Sequence, residues 1–260
     1  MIYYGHDLHF MREFREYELT GDVKKRQESE YWKSIEFSLF HKVAVSYYPS
    51  YVEEEAIHAV DETIPVKAIT AYVYEEFLQN LNKDFAKREG LLFVGGFAHP
   101  PNADAVLWFA KEVFPKIREQ LKVNFYIVGS KVTDEIKALE QPGNGIIVKG
   151  FVSEEELADL YRNCRIVVVP LRYGAGVKGK VVEAIYNGAP IVTTSVGSEG
   201  IPDVEKVLLV KDQPDEFAET VVELYKDEKR LEDLAEKTQV YIREHFSIDA
   251  AWDVIKEDFE

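Results

Sequence analysis

Three cations, Arg172, Lys178 and Lys180, are interleaved with three glycines, Gly174, Gly176 and Gly179, and Glu183 follows. Glycines allow a tight turn whose backbone N–H groups stay exposed, and lysines add mobile positive charge beside them. That combination makes an anion site, and phosphate is the usual anion. The flanks set where such a loop would sit. Arg165 to Leu171 is a β-branched apolar run of the kind a parallel strand buried on both faces requires. Lys178 to Tyr186 has helical spacing, with Val181, Val182, Ala184 and Ile185 available to pack inward. Asn187-Gly188 stops that helix, and Pro190 opens an extended segment ending at Thr194. The loop therefore joins a strand end to a helix start, at the positive end of the helix dipole.

Two general patterns fit the loop and neither holds. Gly174, Gly176 and Gly179 satisfy G-x-G-x-x-G, but a dinucleotide fold places that motif on its first strand, and several strand candidates precede it here. Gly174 to Lys180 satisfies G-x-x-x-x-G-K, but Val181 follows where a P-loop needs Ser or Thr for magnesium.

The run from Pro170 to Ile185, followed by Gly188-Ala-Pro-Ile-Val-Thr-Thr, resembles the donor loop of group 1 glycosyltransferases, retaining enzymes of the GT-B fold. The resemblance implies a nucleoside diphosphate sugar as donor substrate. In most of that superfamily two glutamates stand in an E-x7-E arrangement, the first on the donor sugar and the second on the ribose. Glu183 matches the second; the first falls on Ala175, so no role transfers there and the donor sugar stays open. By the same resemblance, Lys178 and Lys180 neutralise the leaving diphosphate with help from Arg172, and the backbone of Gly174, Gly176 and Val177 lines the donor. A Gly-Gly-Phe-x-His-x-Pro-Asn-x-Asp stretch of this branch is matched from Gly95, which brings Gly95 and Gly96 to the diphosphate. Gly129, Phe151 and Val152 then border the base. The plain reading of Gly95-Gly96 is a tight turn, and that of His99 is a residue ordering its loop.

Composition narrows the class. With 260 residues, 46% hydrophobic, the chain can pack one large or two small α/β units. A net charge of −16 argues against a nucleic-acid partner, leaving the lysine loop as a local basic island. One cysteine, Cys164, excludes a disulfide framework or a cysteine metal site. No apolar run approaches a membrane span, and MIYYGHDLHF lacks the regions of a secretion signal. The expected location is cytoplasmic, with a peripheral position at the inner face of the membrane left open for the full-length protein. No Asp-x-Asp pair occurs, so no metal and no cofactor is expected at the donor site.

In order along the chain, Met1 to Tyr4 reads as a strand running into His6-Asp7. In the resembled family a strand ending in His or His-Asp lies late in the first Rossmann-like domain. On that basis most of this domain is absent, the chain is a truncated or short form, and His6 is the catalytic candidate at the donor sugar. The alternative is that His6, like His9, is a loop histidine. Met11 to Phe40 reads as two charge-rich helices parted near Thr20-Gly21, with Asp22 capping the second and a solvated outer face. Lys42–Tyr48 and Pro65–Tyr74 read as strands around a short helix after Ser50.

The expected organisation is residues 1–74 as a partial acceptor-side domain, 75–90 as connection and 91–247 as the donor-binding domain. Residues 248–260 form a helix crossing back. The second domain carries strands at 91–96, 123–129, 145–149, 165–171, 190–194 and 207–210. One helix bears Leu107, Ala110, Phe114 and Ile117, and a capping box links Ser153 to Glu156. The fold class is α/β, a Rossmann-like doubly wound parallel sheet with an incomplete second α/β domain. The function the resemblance implies is retaining sugar transfer to a sugar, lipid-linked or protein acceptor in cell-surface polysaccharide or glycoconjugate assembly. A donor-binding module without activity and a nucleotide-sugar epimerase are the alternatives.

Overall fold

A computed structural model describes residues 1–174 and 176–259. Its elements fall around two sheets. The first is three parallel strands in the order β1 (Ile2–Tyr4), β2 (Val45–Tyr48), β3 (Val66–Ala68). Between them come α1 (His9–Thr20), α2 (Val23–Phe40) and α3 (Tyr51–His58). The α1–α2 break falls at Gly21, in the left-handed region at φ 72°, and Asp22 accepts from the Lys24 amide as expected of a cap. The sheet packs a small core of Leu8, Phe40, Tyr48, Ile57, Ile64 and Val66.

The second sheet is six parallel strands: β4 (Leu91–Val94), β5 (Phe125–Val128), β6 (Ile146–Gly150), β7 (Ile166–Val169), β8 (Ile191–Thr193) and β9 (Leu208–Val210). Their spatial order is β6-β5-β4-β7-β8-β9. The chain builds outward from β4 in one direction, then restarts beside β4 with β7. That is the doubly wound parallel arrangement, and its crevice opens beyond the carboxyl ends of β4 and β7, where the direction reverses. The helices are α4 (Pro100–Trp108), α5 (Phe114–Gln120), α6 (Asp134–Lys137), α7 (Glu154–Asn163), α8 (Gly179–Tyr186), α9 (Ser195–Ser198), α10 (Pro214–Lys226), α11 (Glu228–His245) and α12 (Ile248–Ile255). β7 is buried at every residue, which is why its sequence is apolar without alternation.

Four expectations need correction. The strand expected over 65–74 ends at Ala68. The last ladder bond runs from the Ile69 amide to the Tyr48 carbonyl at 2.8 Å, and Pro49 then ends β2 with no N–H to offer. The helix carrying Leu107 to Ile117 contains a π-turn at Phe109–Val113, where the Phe114 amide reaches back to Phe109. Pro115 supplies no amide to the regular ladder, so the turn widens there. The capping box is half formed: Ser153 accepts from the Glu156 amide at 3.1 Å, but the Glu156 carboxylate pairs with Lys149 at 2.8 Å instead of reaching back. Finally, α1 and α2 are not merely solvated, since Glu13 and Glu36 are buried. Glu13 takes Lys25 at 2.6 Å and Arg12 at 3.1 Å, while Glu36 accepts from the His9 amide at 2.9 Å.

The 75–90 connection has no regular structure, yet it is anchored. Phe85 is fully buried, and the Arg88 guanidinium donates to the carbonyls of Cys164 and Tyr161 at 2.9 and 2.6 Å. After α11 the chain returns toward the first sheet. Tyr74 donates to the Phe246 carbonyl at 2.8 Å, and Asp258 accepts from Lys67 at 2.6 Å and from Tyr47.

Candidate donor site

The loop after β7 approaches the first strand of the other sheet. A Cβ on Gly176, at φ 73°, would lie 3.1 Å from the His6 carbonyl and 3.3 Å from the Asp7 Cβ. Ala175, the position without the first carboxylate, lies outside the described residues. Lys178 is the N-cap of α8, only 8% exposed, and its ammonium donates to the Gly176 carbonyl. Burial brings it down to about 8, with Glu199 and Glu53 opposing the change. Lys180 is half-buried and donates to Asn102 Oδ1 at 2.8 Å, while Asn102 Nδ2 donates to the Gly96 carbonyl at 2.7 Å. It too is brought down to about 8, by burial and then by the charge of Lys178. The Gly95-Gly96 turn, Asn102 and Lys180 therefore form one assembly at the ends of β4 and α8. A side chain on Gly95 would meet the Lys180 Cε at 3.1 Å.

The remaining sequence candidates are distributed around this assembly. Glu183 is half-buried one turn into α8, and burial pushes its carboxyl up against the opposing pull of Tyr161 and Lys180. Gly129 ends β5 directly against the Gly95 carbonyl. Phe151 is 82% exposed and Val152 half-buried, at the end of β6. Arg172 is exposed and held by Asp104 of α4, with Nε to Oδ2 at 2.8 Å, so its charge is already engaged. Val177 is half-buried and Gly174 buried. The exposed His6 ring lies edge-on to Tyr4 at 5.5 Å. His99 is brought down by burial and by Lys180, with Arg12 and Asp7 of the first half also acting on it.

Three participants escaped the sequence reading because their contacts span the chain. Arg15 of α1 donates to the Gly174 carbonyl at 2.9 Å and pairs with Glu199 at 2.6 Å. Tyr72 lies over the start of α8, where a Cβ on Gly179 would be 2.5 Å from its phenol oxygen. Glu53, fully buried in α3, accepts from the Ser50 hydroxyl through one oxygen and brings the other to 3.6 Å from where a Cβ on Gly176 would lie. The Ser-x-x-Glu spacing at Ser50 was the one available signal, for a helix cap. Replacing Arg15 by alanine is expected to lower stability by about 1 kcal/mol, since the pair is partly exposed but also secures a carbonyl. The midpoint of urea unfolding measures this; an unchanged midpoint would mean that α1 does not tether the loop.

Chemically, the site offers two lysines whose ammonium groups lose their protons more readily than usual, a helix N-terminus and, one turn into α8, the carboxyl of Glu183. Among the described residues no cluster of three or more His, Cys, Asp or Glu side chains could share a metal ion, and no helix is long and apolar enough to cross a membrane.

The sequence profile for "Glycosyl transferases group 1" matches residues 88–227. The chain belongs to this family. The matched stretch of this group 1 glycosyl transferase holds β4 to β9 and the glycine–lysine loop after β7. An uncharacterised 44.6 kDa protein in the cps region of Klebsiella pneumoniae is 29% identical over 184 residues, 67% of this chain and 45% of that protein. The fold is shared with TarM of S. aureus, solved with fondaparinux, alpha-GlcNAc-glycerol and UDP: the TM-score is 0.75 at 13% identity, over 100% of this chain and 50% of that one. It is shared also with sucrose-phosphate synthase of Thermosynechococcus elongatus, with a TM-score of 0.74 at 17% identity over 99% and 66% of the two chains. This chain thus spans about half the length of the first two relatives.

Proposed function

We propose that this chain carries the donor site of an enzyme that transfers a glycosyl group from a nucleoside diphosphate sugar, with retention and without a metal, in cell-surface polysaccharide assembly. The observation that carries the reading is the pairing of Lys178 and Lys180 with the N-terminus of α8 at the sheet's crossover crevice. In the step proposed, the bond from the anomeric carbon to the diphosphate oxygen breaks and its electron pair leaves with the diphosphate. Lys178 and Lys180 take up that charge. The acceptor hydroxyl bonds the anomeric carbon on the same face, and its proton passes to the departing phosphate oxygen. Glu183 holds the ribose, Gly95, Gly96 and the 174–177 backbone line the diphosphate, and His6 approaches the sugar. UDP bound in TarM and the cps-region setting of the Klebsiella relative support the nucleotide and the pathway class. The acceptor class remains a sugar, lipid-linked or protein hydroxyl, and the location cytoplasmic.

The test is thermal stabilisation of the chain by UDP-, GDP- and dTDP-sugars without added metal, beside Lys178→Ala and Glu183→Ala. The expected result is a rise in melting temperature with one nucleotide class that both variants lose. A folded chain that responds to none would refute the donor site.

A further inference from the structure

The cleft between α7 and α8 holds a polar group that the proposed transfer leaves unused. The cleft measures about 470 Å³, and Tyr72 and Tyr74, from the stretch after β3, line it with Tyr161 and Glu183. Tyr74 stacks on Tyr186 at 4.2 Å, so that wall is fixed to α8. Tyr161 is only 1% exposed, and its hydroxyl has no hydrogen-bond partner among the described residues. Tyr161 and the Glu183 carboxyl line the same cleft and act on each other, yet no hydrogen bond is closed between them.

Both helices are held in place. The Tyr161 carbonyl accepts from Arg88 at 2.6 Å, and Val181, Val182, Ala184 and Ile185 of α8 are buried. A hydroxyl stranded in the interior is costly, and phenylalanine would pack the same ring without that cost. Glu183 is half-buried and lines the open cleft, so its side chain has room to move.

We propose that Tyr161 is a positioning residue for ribose recognition: its O–H donates to one oxygen of the Glu183 carboxylate when a ribonucleoside diphosphate fills the cleft, leaving the other oxygen to accept from the ribose hydroxyls. This rests on the donor-site reading above. The titratable groups around Glu183 are Tyr161 and Glu154 from α7, Lys180 and Tyr186 from α8, and Tyr72 and Tyr74 from the stretch after β3. Tyr161 and Lys180 favour the ionised carboxyl, and burial opposes it. Without the phenol O–H the carboxyl takes up its proton at higher pH, so the acid side of ribonucleotide binding moves upward.

The test is calorimetric titration of the whole chain and its Tyr161→Phe variant with UDP, 2′-deoxy-UDP and inorganic pyrophosphate, across pH. Tyr161→Phe is expected to keep or raise the melting temperature, to weaken UDP by about 10-fold, and to leave pyrophosphate unchanged. The loss for 2′-deoxy-UDP is smaller than for UDP, and the acid limb of UDP binding shifts to higher pH. UDP and 2′-deoxy-UDP binding untouched in a folded variant overturns this role and leaves the donor site standing. Failure of the wild-type chain to bind UDP overturns both.

Discussion

Alanine at Lys178 or Lys180 is expected to weaken UDP binding by about 10- to 100-fold, the worth of one charge-assisted hydrogen bond in a dry site. The pH dependence sharpens the prediction. Both ammonium groups sit at about 8, well below the ordinary lysine value, because burial penalises their charge. A diphosphate favours the charged forms, so above about 8 it binds only by drawing protons onto the lysines. Affinity therefore falls as pH rises through that point, and binding there is accompanied by proton uptake. Stability moves the other way. Between the depressed folded value and the ordinary value of 10.5 the unfolded chain holds more protons than the folded one, so the wild type gains stability as pH rises across that window. The Lys178→Ala variant gains less. Calorimetry in two buffers of different ionisation enthalpy at pH near 9 reads the proton uptake, since a buffer-independent heat would mean that the lysines are already charged or do not touch the ligand.

Gly129→Ala is expected to cost about 4 kcal/mol, lowering the melting temperature by roughly 10 °C. A Cβ at this position would lie 1.9 Å from the Gly95 carbonyl oxygen and 2.7 Å from its carbon. Both are backbone atoms at the adjacent strand end, so no side-chain rotation relieves the overlap. The ends of β4 and β5 must part instead. That displaces the Gly95-Gly96 turn, and through it Asn102 and Lys180, so UDP binding should fail together with stability. Gly143→Ala is the control: its φ of 80° also disfavours a side chain, but nothing lies within 4 Å of the new Cβ. It should cost only about 1 kcal/mol. Thermal unfolding followed by circular dichroism compares the two; equal losses would show that backbone conformation, not the close approach of the strands, sets the cost at Gly129.

Some of this was legible from residues alone. The apolar run at 166–169, the glycine-lysine loop and the inward face of Val181 to Ile185 announce strand, turn and helix, because burial and helix geometry act on neighbours in sequence. The family resemblance was legible for the same reason: its motifs lie within one strand–loop–helix unit. Local sequence did not show where β3 ends, because that depends on Pro49 of the neighbouring strand. Nor did it show that α1 carries a contact to the loop after β7, since a charged helix face looks the same whether it meets water or Glu199. The pairings Arg15–Glu199 and Lys180–Asn102 join residues far apart in the chain, and Coulomb attraction and hydrogen bonding depend on distance in space. The sequence by itself determined most of the elements and the glycine–lysine make-up of the loop after β7. Which side chains surround that loop, and how far burial lowers the proton affinity of its lysines, was decided only when the two sheets packed against each other.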